Sequence, residues 1–116
     1  MLELYKTFKK QSEKIEILLR IGCNFEKQEK YSEAEKTFLK GTKFNSADAF
    51  LFLGNLQLKI GKIEEGVENL EKANCIRRFD IAIENKLVYG YSLREETMDK
   101  ALKLAHNILK KEPNSL

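Results

Sequence analysis

The sequence predicts an all-α chain wound into a helical solenoid of about three helix-turn-helix repeats. Residues 54–73, GNLQLKIGKIEEGVENLEKA, overlie residues 22–41, GCNFEKQEKYSEAEKTFLKG, at an offset of 32 that sets Gly22 on Gly54, Lys27 on Lys59, Lys30 on Lys62, Glu33 on Glu65 and Lys40 on Lys72. Self-similarity at such a period is the mark of a repeat architecture. Apolar residues keep the i, i+3, i+4 spacing of one helical stripe and fit no strand alternation. Small residues also recur in register at Gly22, Gly54, Ala34, Gly66, Ala73 and Ala101. A helix glycine costs up to ~1 kcal/mol relative to alanine, so their use is tertiary: backbones approach there, and a large neighbour such as Phe25, Phe38, Leu70 or Tyr91 fills the gap.

Residues 1–14 are expected to form an extra N-terminal helix. YKTFKK echoes EKTFLK, matching Lys6, Thr7, Phe8 and Lys10 to Lys36, Thr37, Phe38 and Lys40, as an orphan second helix would. Phe8 lies only 13 residues before Ile21, whereas Phe38 lies 15 before Leu53, so one helix over residues 2–27 is the alternative. Repeat one, residues 15–46, sets Ile15, Leu18, Leu19, Ile21 and Phe25 on its first helix. Its second carries Tyr31, Ala34, Phe38, Gly41 and Phe44, with Ala34 inward and Glu35 outward. Asn45 or Ser46 then supplies the side-chain oxygen that caps the next helix. Repeat two, residues 47–80, runs through Phe50, Leu53, Gly54, Leu56 and Ile60, breaks at Gly61 and resumes with Ile63, Gly66, Leu70 and Ala73. Repeat three, residues 81–116, has a clear second helix in Met98, Ala101, Ala105 and Ile108. Its first helix fits with Leu87, Val88 and Tyr91 in the large-small-aromatic positions if the turn REETM holds one extra residue; otherwise Tyr89 takes the small position. LKLAHNILKKEPNSL reads as a cap, with Leu102, Leu109 and Leu116 as an apolar edge compatible with a further helix or with self-association.

These patterns resemble the tetratricopeptide repeat family. Its large-small-aromatic pattern falls on Ile21, Gly22 and Phe25, and its small-aromatic-small series on Ala34, Phe38 and Gly41. Its closing proline is matched by Pro113 alone, with Ser46 and Arg78 at the other two places. The resemblance implies a right-handed solenoid whose concave face, lined by the outward positions of the first helices, holds a peptide or helix of a protein partner.

Composition removes several other functions. The 116 residues make one domain, with 42% apolar and 34% charged residues, a single proline and no low-complexity linker. The longest apolar run, residues 49–53, is far short of a membrane span. The start MLELYKTFKK has no signal-peptide centre, so a cytoplasmic chain without membrane association is expected. The net charge of +3 is spread over alternating lysines and glutamates, and the pairs Lys9-Lys10 and Arg77-Arg78 are too few for a nucleic-acid stripe. Cys23, Cys75 and His106 have no metal-ligand spacing, so free thiols, no metal and no cofactor are expected. Adjacent glutamates such as Glu64 and Glu65 point about 100° apart on a helix, there is no phosphate loop, and no nucleophile has a partner base, so the chain is not expected to be an enzyme.

Counting outward from Gly22, Gly54 and the third repeat gives the expected peptide-binding set: Leu19, Cys23, Leu51, Phe52, Asn55, Leu58, Lys59 and Tyr89. Leu51, Leu58 and Tyr89 form its expected centre. Co-chaperones of the family grip a terminal carboxylate with lysine, asparagine and arginine; here Leu19, Cys23 and Phe52 take the first- and second-repeat positions, which implies a different, apolar ligand. The function expected is a protein-interaction module, as in small chaperones. The alternative is a structural subunit of a larger assembly, such as a secretion-system component, with its groove permanently filled.

Overall fold

The computed structural model describes residues 2–111. Six α-helices run in order: α1 Leu2–Lys27, α2 Tyr31–Thr42, α3 Ala47–Lys59, α4 Ile63–Ile76, α5 Ile81–Ser92 and α6 Met98–Lys111, the last preceded by a 3₁₀ turn, Glu95–Thr97. Consecutive helices pack in pairs and each pair stacks on the next. Among the described residues, α1 and α2 make no contact with α5 or α6. The result is a right-handed helical solenoid with a radius of gyration of 15.4 Å, against roughly 13 Å for a compact domain of this length. No helix of the described residues is long and apolar enough to cross a membrane.

The small residues sit where helices touch. A Cβ on Gly22 would land in the Phe38 ring, and Gly54 and Gly66 cross so closely that a Cβ on either would lie 2.8 or 2.9 Å from the other's carbonyl oxygen. Two cores result. One holds Ala34, Phe38, Leu53 and Leu56; the other holds Leu58, Leu70, Ala73, Ile83 and Leu87.

Caps repeat as faithfully as the core. Ser46 accepts from the Ala49 N–H and Asp80 from those of Ala82 and Ile83, each oxygen satisfying donors a helix start leaves free. Asn45, the other candidate cap, instead takes a left-handed φ of 56°. From Ser46 to Asp80 the spacing is 34 residues, and from Ile63 to Met98 it is 35. The extra residue of the third repeat therefore falls in the α5–α6 turn, and Leu87 is buried as the large residue. Gly90, which the sequence comparison left unused, is buried against Val67 of α4.

Three expectations change. The N-terminal helix expected over residues 1–14 is not separate: from Leu2 the described residues continue into α1, because the segment holds neither glycine nor proline and the turn available was too short. Glu35 does not simply face water, for its carboxylate accepts from Gln57 Nε2 at 3.1 Å and from Lys62 Nζ at 2.9 and 3.0 Å. Leu58 belongs to the core, only 6% exposed. Pro113 and Leu116 lie outside the described residues.

Candidate functional site

A recess runs along α1 where it faces α3. α1 lines one wall because its stripe of Ile15, Leu19 and Cys23 turns toward α3 once Gly22 has seated Phe38 of α2. At one end a cavity of about 460 Å³ lies between Ser12, Ile15, Glu16 and Leu19 of α1, residues 46–48 at the start of α3, and Ile76 and Arg77 at the end of α4. Glu16 and Leu19 pass into a second cavity of about 400 Å³, with Arg20, Cys23, Asn24, Lys27 and Phe52. Cys23 and Lys27 pass into a third of about 200 Å³, closed by Glu26 and Lys59. The three form one trough spanning sixteen residues of α1, Ser12 to Lys27, roughly 22 Å end to end at 1.5 Å per step.

Its middle is apolar and well supported. Phe52 packs edge-on against Phe38, ring centres 5.8 Å apart, so a rigid aromatic forms the floor. The rim is charged, but most of the charge is matched: Arg20 with Glu16 at 2.8 Å, Lys59 with Glu26 at 3.3 Å and Arg77 with Asp48 at 2.8 Å. Burial pushes the Cys23 thiol above its ordinary value; the Glu26 carboxylate adds to the rise and Lys27 opposes it. Cys23 is thus held as a neutral, half-buried thiol. Cys75, the other free cysteine, is exposed.

Of the expected binding set, Leu19, Cys23, Phe52 and Lys59 come together in this trough. Leu58 does not, since its side chain packs between Gly66 and Gly90. Leu51 leans on the second core, and Tyr89 is 53% exposed on α5. Neither these two nor Asn55 lines the trough, so the expected centre of Leu51, Leu58 and Tyr89 is not assembled. Ser12, Ile15, Ile76 and Arg77 were missed. Ile15 and Ser12 were legible as a continuation of the Leu19 stripe; the approach of α4's end to α1 depends on superhelical curvature, which no local pattern states.

A further cavity of about 320 Å³ separates α4 from α5 and α6, bordered by Val67, Gly90 and Tyr91. It is bridged by the Tyr91 hydroxyl donating to Glu71 at 2.6 Å and by Arg94 on Glu64 at 3.2 Å. Burial, then the hydrogen bond to Glu71, raise the Tyr91 phenol well above its ordinary value, so the hydroxyl stays a donor and the contact reads as a repeat-to-repeat tie.

No protein of curated function matches the sequence. The fold is similar to the first TPR of Spaghetti (RPAP3) bound to the HSP90 peptide SRMEEVD, with a TM-score of 0.78 and 20% identity over 89% of this chain and 85% of that one. It is also similar to the crystal structure of MamA, with a TM-score of 0.75 and 21% identity over 94% of this chain, which spans 64% of the MamA chain. A second MamA structure gives a TM-score of 0.74 at 21% identity, this chain spanning 60% of it. Residues 15–48 and 47–77, together more than half of the sequence, match the family model for the tetratricopeptide repeat. The chain belongs to the tetratricopeptide repeat family.

Proposed function

We propose that the chain is a protein-interaction module, without catalysis, that holds an apolar segment of a partner polypeptide in the α1–α3 trough. The observation that carries this is the trough's make-up: Leu19, Cys23 and Phe52 along its middle, with Arg20, Lys59 and Arg77 already paired to carboxylates of the chain itself. The HSP90 peptide held by the RPAP3 repeat domain ends in Glu-Glu-Val-Asp. Such a ligand needs open cations, and among the described residues Lys27 is the trough's cation without an ion pair. Apolar contact therefore supplies the affinity, with the rim setting orientation.

Small chaperones that shelter a client's hydrophobic segment fit this chemistry. One observation favours the second reading, a subunit whose groove is filled within an assembly: Leu4, Tyr5 and Phe8 on α1 are 55%, 65% and 61% exposed on a free helical overhang that a permanent partner would cover.

Peptides selected from a random library on the intact chain test the site. Binders should be apolar and should protect Cys23, but not Cys75, from alkylation. Leu19→Glu should weaken them at least tenfold, equivalent to about 1.4 kcal/mol, with the helical circular dichroism unchanged. Binders that leave Cys23 reactive, or whose affinity collapses in high salt, would place the site elsewhere or make it electrostatic.

A further inference from the structure

On α6, Met98, Leu102, Ala105 and Leu109 follow one another at steps of four, three and four residues, the a/d spacing of a coiled-coil seam. This seam is not the side by which α6 joins its own fold. Ala101 and Ile108 do that, at 3% and 1% exposure, while Leu102, Leu109 and Met98 are 63%, 44% and 38% exposed. The repeat explains the face. The offset relating Ile63 to Met98 carries Val67 onto Leu102 and Leu70 onto Ala105. Val67 packs on Gly90 of α5, and Leu70 is fully buried. α6 thus presents the surface that on α4 receives a helix, and among the described residues no further helix packs on it.

We infer that the occupant is α6 of a second copy, packed antiparallel about a two-fold axis. The seam is complementary to its own reverse: Met98 meets Leu109 of the other copy, and Leu102 meets Ala105, large against small. In an antiparallel pair the positions beside the seam face their own kind, which brings Asp99 of each copy to His106 of the other. Lys100, Lys103, Lys110 and Lys111 fall on the far side of the helix, so its positive charge is not brought face to face. The alternative acceptor, the open side of α1 with Ile17 and Ile21 at 56% and 41% exposure, has Lys10 and Lys14 in the same stripe and would press two charged side chains against the apolar seam of α6, which costs desolvation without a partner. Four apolar side chains a copy lie well under the ~20–30 residues a side of a standard interface. The dimer is accordingly weak, formed at hundreds of micromolar and dissociated on dilution.

Analytical ultracentrifugation of the full chain across that concentration range reads it. The wild type should shift reversibly from monomer to dimer, and Leu102→Glu, at an exposed site that folding does not need, should stay monomeric throughout. Asp99→Lys should weaken association several-fold and the double variant Asp99→Lys/His106→Glu should restore it, because the antiparallel register re-forms the pair with reversed polarity. Ile21→Glu should change nothing. A wild type monomeric at every concentration, a Leu102→Glu variant that still dimerises, a swap that fails to restore, or loss of the dimer in Ile21→Glu would each overturn the proposal, the last in favour of head-to-tail stacking.

Discussion

At the scale of single residues, the pair Ala34 and Glu35 shows what sequence spacing conveys and what it omits. Ala34 is fully buried, so Ala34→Leu should destabilise by roughly 1–3 kcal/mol through overpacking. Its neighbour should matter for a different reason. Gln57 is buried, donates to Glu35 and accepts from Asn69 at 2.6 Å, so Glu35, Gln57 and Asn69 form one polar chain across α2, α3 and α4. Glu35→Leu leaves the Gln57 amide without its acceptor, at about 1–3 kcal/mol, while Glu35→Gln should cost less; equilibrium urea unfolding measures both. Burial by itself would raise the Glu35 carboxyl, but the hydrogen bonds from Lys62 and Gln57 and the Lys62 charge outweigh it and hold the group below its ordinary 4.5. The unfolded chain then binds the proton more readily than the folded one, so the stabilisation is complete above about pH 4.5 and is lost as pH falls through the lower folded value. Glu35→Gln should flatten that part of the stability profile. Size periodicity placed Ala34 because packing repeats in every unit. Glu35 escaped it because its partners lie 22 and 27 residues away, and helical spacing states only neighbours on one helix.

At the scale of elements, turns explain why helix boundaries were readable and why α1 was not. Left-handed backbone recurs at matched positions, Glu29 at φ 60° and Gly61 at 88° inside the first two repeats, and Asn45 at 56° and Phe79 at 64° between repeats. Each reverses the chain after a helix, and only Gly61 and Asn45 announce it by residue type. Before Ile15 no such turn forms, and α1 runs straight back to Leu2. The echo of α2 in YKTFKK records residue sizes without the loop that would let them pack. Residues 2–14 are all exposed, so deleting residues 2–11 should leave the denaturant midpoint of the remaining chain unchanged. A clear fall would show that the overhang is covered, by a partner copy or by the chain itself. The trough was half legible for the same reason: Leu19, Cys23, Phe52 and Lys59 follow from helical counting, whereas Leu58 entered the core because glycines at 66 and 90 leave room for it.

At the scale of the whole molecule, stability should be one-dimensional. α3 and α4 form the most tightly joined pair, the first repeat meets the second through α2 and α3, and no residue of α1 or α2 reaches α5 or α6. Energetics of such stacks are sums of repeat and nearest-interface contributions, so each end can open while the rest persists. Ile108 tests this because it is 1% exposed on α6, the helix that docks on α5. Ile108→Ala should cost ~2–5 kcal/mol by the usual measure of a buried isoleucine truncated to alanine, enough to populate a form with α6 undocked. Native-state hydrogen exchange should then show faster exchange in α6 and α5, with the amides of α2 and the trough-lining half of α1 protected as in the wild type. The trough would stay intact in that form, and a peptide bound there would keep its affinity. Uniform acceleration across all six helices would mean that the stack unfolds as a single unit, with repeat one dependent on repeat three despite sharing no contact with it.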